Sequence, residues 1–216
     1  MKIVANTGGL AYTNCYLVVD DTTGQCVLFD APDHTVEPIL DHIAKEKLNL
    51  IGLWLTHGHF DHLADHALVR ERFPNAQVLI HKLDEPKLLR PGSAMFELPF
   101  KIPPGKADTY VEDGQELSIG SIKVKVIFTP GHSPGHVSYY LPEQNVVIGG
   151  DLIIGGAVGR TDLPDADHNE LLRSVRKLMK LPGTTTLLPG HGGPSTLEDE
   201  ARTNEYVRSA LREVTV

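Results

Sequence analysis

Residues 51–62 read Ile51-Gly52-Leu53-Trp54-Leu55-Thr56-His57-Gly58-His59-Phe60-Asp61-His62, a short apolar run that stops abruptly at three imidazoles and one carboxylate. The apolar part has strand length and the near-continuous character of a strand buried on both faces. The polar part reads as a metal-binding string. Imidazole is the commonest metal-ligating side chain, and carboxylates complete sites for zinc, iron or manganese. His57 and His59, at i and i+2 in extended backbone, point the same way, while Asp61 and His62 continue into a turn. One ion can take the first pair and a second ion the latter. Gly58 is expected to leave room where two ions would crowd the loop.

Working outward, three more polar residues stand at the end of a strand-like run. Thr129-Pro130-Gly131-His132 follows the run 122–128, Gly149-Gly150-Asp151 follows 146–148, and Leu188-Pro189-Gly190-His191 follows the short run 187–188. All three are flanked by Gly or Pro, which fits tight loops that bring side chains to a common edge. Further strand-like runs occur at 3–5, 12–19, 27–30, 77–80 and 137–141. Val36, Ile39, Leu40 and Ile43 recur at helical spacing, so an amphipathic helix is expected from 35 to near 47. Leu171, Leu172, Val175, Leu178 and Met179 mark a second helix, with Asp165 or Asp167 as its N-cap, and a third is expected from 197 to about 211. Two sets of strands with intervening helices predict an α/β fold, two sheets packed face to face with helices outside. The Pro-rich stretch 98–104 reads as a surface loop.

A length of 216 residues suits one compact unit, so residues 1–216 are expected to form a single domain. The 20 Lys and Arg against 28 Asp and Glu give a formal charge of −8, which repels phosphate backbones and anionic lipid. Neither nucleic acid nor a membrane is an expected partner. No run approaches the roughly 18 apolar residues of a membrane helix, and Met1 to Asn6 lack the apolar region of a signal peptide, so the cytoplasm is the expected location. The only two cysteines, Cys15 and Cys26, fall in one hairpin about four residues out of register. They are expected to be free thiols packed as small apolar groups.

The string 56–62 together with His132, Asp151 and His191 resembles the metallo-β-lactamase superfamily, whose five motifs appear in order along the chain. The surrounding phrases, Thr129-Pro-Gly-His-Ser-Pro-Gly-His136, Gly149-Gly-Asp151, Gly159-Arg-Thr-Asp162-Leu-Pro and Pro189-Gly-His-Gly-Gly193, resemble the glyoxalase II group of hydroxyacylglutathione hydrolases, especially its short bacterial members. The resemblance implies a four-layer αββα sandwich with the site at one edge. It implies one metal held by His57, His59 and His132, another by Asp61, His62 and His191, and Asp151 bridging them. Two departures stand out. Full-length glyoxalase II enzymes carry a C-terminal helical domain with glutathione-binding basic residues, whereas only 25 residues follow His191 here. The family's Asp-Pro-Gly after the third strand appears as Asp30-Ala31-Pro32.

A centre of that kind, with two divalent ions, zinc first and iron or manganese as alternatives, is expected to hydrolyse a thioester such as S-lactoylglutathione through a metal-bridging hydroxide. Coordination lowers the pKa of water from about 15.7 towards 7. A thiolate leaving group, with a pKa near 8.5, needs little help from an acid. Asp61 is placed to accept the proton of that hydroxide, and Phe60, between ligands, to wall the site. Arg160 with Asp162 either orients an anionic substrate or forms an ion pair bracing its loop. The Gly159 to Asp162 phrase also resembles persulfide dioxygenases, which hold a single iron through two His and one Asp, here His57, His132 and Asp151. Hydrolysis of another ester or a lactone is the third reading. Of the remaining histidines, His66 is assigned to helix packing, His136 to a supporting role, and His34, His42, His81 and His168 to the surface. Tyr139 and Tyr140 alternate across one strand, so at most one can line the pocket. The oligomeric state is left open.

Overall fold

Strand β2 (Thr13–Val19) shows how the layers arise. Cys15, Leu17 and Val19 point into one apolar cluster and Tyr16 and Val18 into another, so both faces are buried and polar residues are confined to its start. The computed structural model describes residues 1–212. One sheet has the order β1 (Lys2–Gly8), β2, β3 (Gln25–Phe29), β4 (Asn49–Trp54), β5 (Gln77–His81) and β6 (Thr109–Val111), antiparallel up to β3 and parallel from β3 onward. The second is built from β7 (Glu116–Ile119), β8 (Ile122–Phe128), β9 (Val137–Leu141), β10 (Val146–Gly150), β13 (Thr186–Pro189) and β14 (Ser195–Thr196). Its order is β14-β13-β10-β9-β8-β7, and only the β10–β13 pair is parallel. A two-stranded ribbon, β11 (Ile153–Ile154) and β12 (Ala157–Val158), follows β10.

Three apolar clusters define the four layers. The first packs the outer face of β2 to β5 against α1 (Glu37–Lys45), α2 (Phe60–Leu63), α3 (His66–Arg72) and α4 (Glu85–Leu89). The second lies between the sheets, with Phe29, Trp54 and Tyr139 edge-on or tilted at 5.1–5.7 Å. The third packs β8, β9, β10 and β13 under α5 (His168–Leu178), α6 (Leu197–Thr203) and α7 (Glu205–Arg212). The expected αββα sandwich is therefore the fold. No helix of the described residues is long and apolar enough to cross a membrane.

Most strands lie within a few residues of their expected positions. Asp167, not Asp165, caps α5 by accepting from the Glu170 N–H. Helix α1 starts at Glu37 with Pro38 in its first turn, two residues later than expected. The single helix expected from 197 to about 211 is two helices. Asn204 breaks it: the side-chain oxygen accepts from the N–H groups of Tyr206 and Val207, and the amide donates to the Ala157 carbonyl and the Glu200 carboxylate. That set of bonds outweighs helix continuation at a residue already suited to capping. Stretch 98–104 lies in a connection without helix or strand.

The hairpin register pairs Val19 with Cys26, which leaves Cys15 four residues away, and both thiols are free and buried. Burial pushes each thiol up to about 12, far from reactive. Neither candidate tyrosine lines the site. Tyr139 sits between the sheets with its hydroxyl donating to the Leu55 carbonyl, and Tyr140 faces the helices.

Candidate metal centre

β4, β8, β10 and β13 end at one edge of the sandwich, and each end is followed within a few residues by His57, His132, Asp151 and His191 respectively. After β4 the chain bends at Thr56 and reaches His59, whose extended backbone stands just before α2, and the helix then carries Asp61 and His62 inward. The turn before β2 closes the edge from the first sheet. Asn14 donates from its backbone to the Gly190 carbonyl and from its side chain to the carbonyls of Pro189 and Gly192, which pins the His191 loop.

The seven residues singled out in the sequence come together. Donor atoms of His57, His59 and His132 form one group within 4.8 Å of one another, those of Asp61, His62 and His191 a second, and those of His57, His62 and Asp151 a third. Asp151 reaches across, with Oδ2 at 3.4 Å from His132 Nε2 and 3.3 Å from His191 Nε2, and Oδ1 at 3.4 Å from His62 Nε2. His57 Nε2, His62 Nε2 and Asp151 Oδ1 are buried without a hydrogen-bond partner. An unpartnered buried polar atom costs about 1–3 kcal/mol. Three of them facing one another, in a set of imidazoles and carboxylates, suit a divalent cation.

The far sides of three of the rings, those of His57, His62 and His132, are committed elsewhere. Thr56 donates its hydroxyl to Asp30 Oδ2 and its N–H to Oδ1, and the His57 Nδ1–H donates to the same hydroxyl at 3.0 Å, which turns Nε2 into the site. His62 Nδ1 donates to Asp30 Oδ2 at 2.8 Å. One carboxylate thus orients an imidazole of each group. Asp30 adopts φ +59°, a conformation that costs a non-glycine residue free energy, and its three side-chain contacts, two from Thr56 and one from His62, hold it there. Ala31, in place of the family's usual Pro, donates to the His62 carbonyl and accepts from Asp65, so the departure ties the loop to α2. His132 Nδ1 donates to the Arg160 carbonyl at 2.9 Å. His136, fully buried, meets the Thr129 hydroxyl through Nδ1 and accepts the Asp151 N–H through Nε2, which is a supporting role. Thr13 donates to Asp61 Oδ2 at 2.9 Å.

Asp84 forms a second hub. It is fully buried and accepts from the Gly58 N–H, the Ser133 hydroxyl and the Gly135 N–H, each at 2.7 Å. Gly58 is needed for this packing and not for space around ions: a Cβ there would lie 2.8 Å from the Asp84 carbonyl and 2.9 Å from Lys87 Cβ.

Charge divides the site. Burial alone would lower the His62 pKa, but Asp151, Asp61 and Asp30 outweigh it and hold it well above the usual value. His191 rises to about 10 because its bonds to Asp151 and Asp61 outweigh burial. Burial also opposes ionisation of Asp61 and Asp151, yet His62 and His191 win, taking Asp61 to about 2 and holding Asp151 well below the usual carboxylate range. Burial drives His57 down, aided by His62 and His59, and takes His59 to about 4, aided by His132. Neutral imidazole and ionised carboxylate are the forms that ligate metals.

Phe60 and Arg160 both line a cavity of about 770 Å³ over the donor groups. The Arg160 guanidinium is engaged by Asp162 through two 2.7 Å bonds, the bracing arrangement, while its carbonyl holds His132. His66 belongs to no donor group: it is buried and donates to the Leu63 carbonyl. His34 and His168 are exposed and His42 half-buried. His81 is not a plain surface residue, since it is half-buried, stacks on Phe128 at 4.5 Å and accepts from the Leu83 N–H. Sequence reasoning passed over Asp30, Asp84 and Thr13 as functional residues. Asp30 follows a strand end just as Asp151 does, and that signal could have found it. Asp84 sits among Lys82, Glu85 and Lys87, a context that reads as solvated charge.

An αββα sandwich with a His and Asp cluster at one sheet edge defines a metal-dependent hydrolase architecture. Residues 8–191 match the model of the Metallo-beta-lactamase superfamily, and the chain belongs to that superfamily, which binds divalent metals through such clusters. Among curated relatives, the chain is 35% identical to the probable metallo-hydrolase YqgX of Bacillus subtilis, over 92% of this chain and 94% of that one. It is 29% identical to the hydroxyacylglutathione hydrolase GloC of Haemophilus influenzae, over 91% and 93%. Among solved structures it is similar to TTHA1623 in a di-iron-bound form, with 37% identity, a TM-score of 0.82 and coverage of 94% of this chain and 99% of that one. ETHE1 from Myxococcus xanthus has 26% identity and a TM-score of 0.78 over 100% and 92%.

Proposed function

We propose that this protein is a dinuclear metal-dependent hydrolase of thioesters such as S-lactoylglutathione, acting as one domain over residues 1–216. His57, His59 and His132 hold one ion, Asp61, His62 and His191 the other, and Asp151 is shared. The observation that carries this is the trio of buried, unpartnered donors, His57 Nε2, His62 Nε2 and Asp151 Oδ1, with a full second group of Asp61, His62 and His191 beside it. Two divalent ions held there supply Lewis acidity and a water whose pKa falls towards 7. The protein's own part is positioning. Asp30, Thr56 and His136 fix which atoms face inward, and Thr13 holds Asp61 Oδ2, leaving that carboxylate to accept a proton from the attacking water. Phe60 excludes bulk water on one side. Arg160, released from Asp162, offers a guanidinium to an anionic part of the substrate. The likeness to GloC supports the thioester, and the di-iron form of TTHA1623 supports iron beside zinc as the resident metal.

The test is metal analysis of the protein as isolated, combined with hydrolysis of S-lactoylglutathione. Two ions per chain with turnover uphold the proposal. The likeness to ETHE1 over the whole chain favours a second reading, the persulfide dioxygenase. One iron per chain, with oxygen uptake on glutathione persulfide and no thioester turnover, would replace the first reading by the second. Faster turnover of lactones or simple esters than of any thioester would replace it by the third.

A further inference from the structure

The cavity over the donor groups has a wall of different character from its floor. Met95 is 52% exposed, Phe96 50% and Leu10 46%, and all three line this one cavity. Phe96 stands edge-on to Phe60 at 5.8 Å, and Leu163 lies on the same wall. Leu10 is held out by its turn, since its N–H donates to the Asp33 carboxylate. Large apolar side chains gathered at one concavity, and not scattered, mark a surface that an apolar group covers. Three cations line the same cavity. Lys87 pairs with Asp165 and Arg160 with Asp162, whereas Arg90 pairs with no acid among the described residues.

We propose that this wall binds the acyl chain of the substrate, and that the preferred acyl group is an apolar aliphatic one longer than lactoyl, seated on Phe60, Met95 and Phe96. Arg90 takes an anionic group of the thiol carrier. This rests on the thioester reading and narrows it, away from short hydroxyacyl groups, because a lactoyl group offers that wall a single methyl and a longer chain recovers the contact that Met95 and Phe96 lack.

The experiment has a binding arm and a kinetic arm. The metal-loaded protein is titrated calorimetrically with acetate, butyrate, hexanoate and octanoate, the straight-chain acids that such thioesters release. Affinity is expected to rise about fourfold per added methylene as far as hexanoate. The double variant Met95→Ala with Phe96→Ala, whose fold is checked by circular dichroism, is expected to flatten the series. A flat series in the wild type, or a slope unchanged in the double variant, overturns the proposal. In the kinetic arm, kcat/KM for hexanoylglutathione is expected to exceed that for S-lactoylglutathione by about tenfold or more. The Arg90→Ala variant should raise KM for both and leave the slope of the acid series in place. A preference for the lactoyl group also overturns the proposal. Chain-length-dependent binding without turnover of any thioester sinks the thioester reading and leaves the apolar wall standing, whereas turnover with a flat series does the reverse.

Discussion

At the donor groups that form the cavity floor or lie buried beneath it, the inward-facing atoms have their far sides fastened: His57 to Thr56, His62 to Asp30, His132 to the Arg160 carbonyl, and Asp151 to His136 through its own backbone. On the wall, Met95, Phe96 and Leu10 stand about half in water and Arg90 lacks an acid partner among the described residues. The floor is attached to the ends of buried strands in both sheets, so a change there is felt by the core. Much of the wall comes from a connection without helix or strand and from a turn, so a change there reaches only the ligand. Under the proposed function, the chemistry is thereby fixed where the fold is stiffest, and the selection of substrates is left where substitution is cheapest.

The largest effect that separates the two regions is expected from Asp151→Ala. Removing the shared carboxylate should lower bound metal per chain and reduce kcat/KM by about 10³-fold, the several kcal/mol that metal polarisation supplies. Full metal content in that variant would show that Asp151 does not link the two groups. Next comes Asp30→Asn. Asn tolerates the same φ, so the substitution removes charge without adding backbone strain. Metal affinity should fall by about 10–100-fold, and urea unfolding should report a loss of about 2–4 kcal/mol, because two imidazoles lose one buried anion.

A smaller effect is expected at Asp84. Burial opposes its ionisation, but Lys87 and the donors Ser133, Gly58 and Gly135 outweigh it and keep the carboxyl below its ordinary value. A depressed carboxylate stabilises the fold above its unfolded pKa, about 4, and loses that contribution as pH falls through the folded value. Asp84→Asn should therefore lower Tm at pH 7 by the equivalent of about 1–3 kcal/mol, with the gap to wild type closing under acid conditions. A gap that stayed constant from pH 7 to 3 would show that the charge has no part. The smallest effect belongs to the wall. Phe96→Ala should change unfolding free energy by less than about 0.5 kcal/mol and leave metal content unchanged, while the acyl preference moves.

What the sequence disclosed follows the same division. The layers were legible because β2, β3, β4 and β9 carry residues that alternate between two apolar clusters, and the strand-end Gly and Pro flanks pointed to His132, Asp151 and His191. The supporting residues were not. Asp30 stands at a strand end, as Asp151 does, but its role shows only once Thr56 and His62 are seen to share it, a relation spanning 26 and 32 positions of chain. Asp84 lies in a stretch of alternating charge that a short 3₁₀ turn folds inward, which no periodicity announces. Asn204 broke a helix whose apolar spacing runs straight through it, because a buried network of capping bonds overrode local propensity. Of the wall only Phe60 was legible, from its place between ligands; Met95 and Phe96 follow no pattern, being placed by a connection and not by an element.

The burial of Cys15 and Cys26 has a practical corollary. With both sulfurs sealed between the first sheet and its helices, the folded protein offers maleimides or iodoacetamide no accessible thiol to react with. A single cysteine introduced beside the cavity, at Ser93 for example, would be the sole labelling position on the native protein. A fluorophore or spin label attached there would report ligand entry with no background from the chain itself.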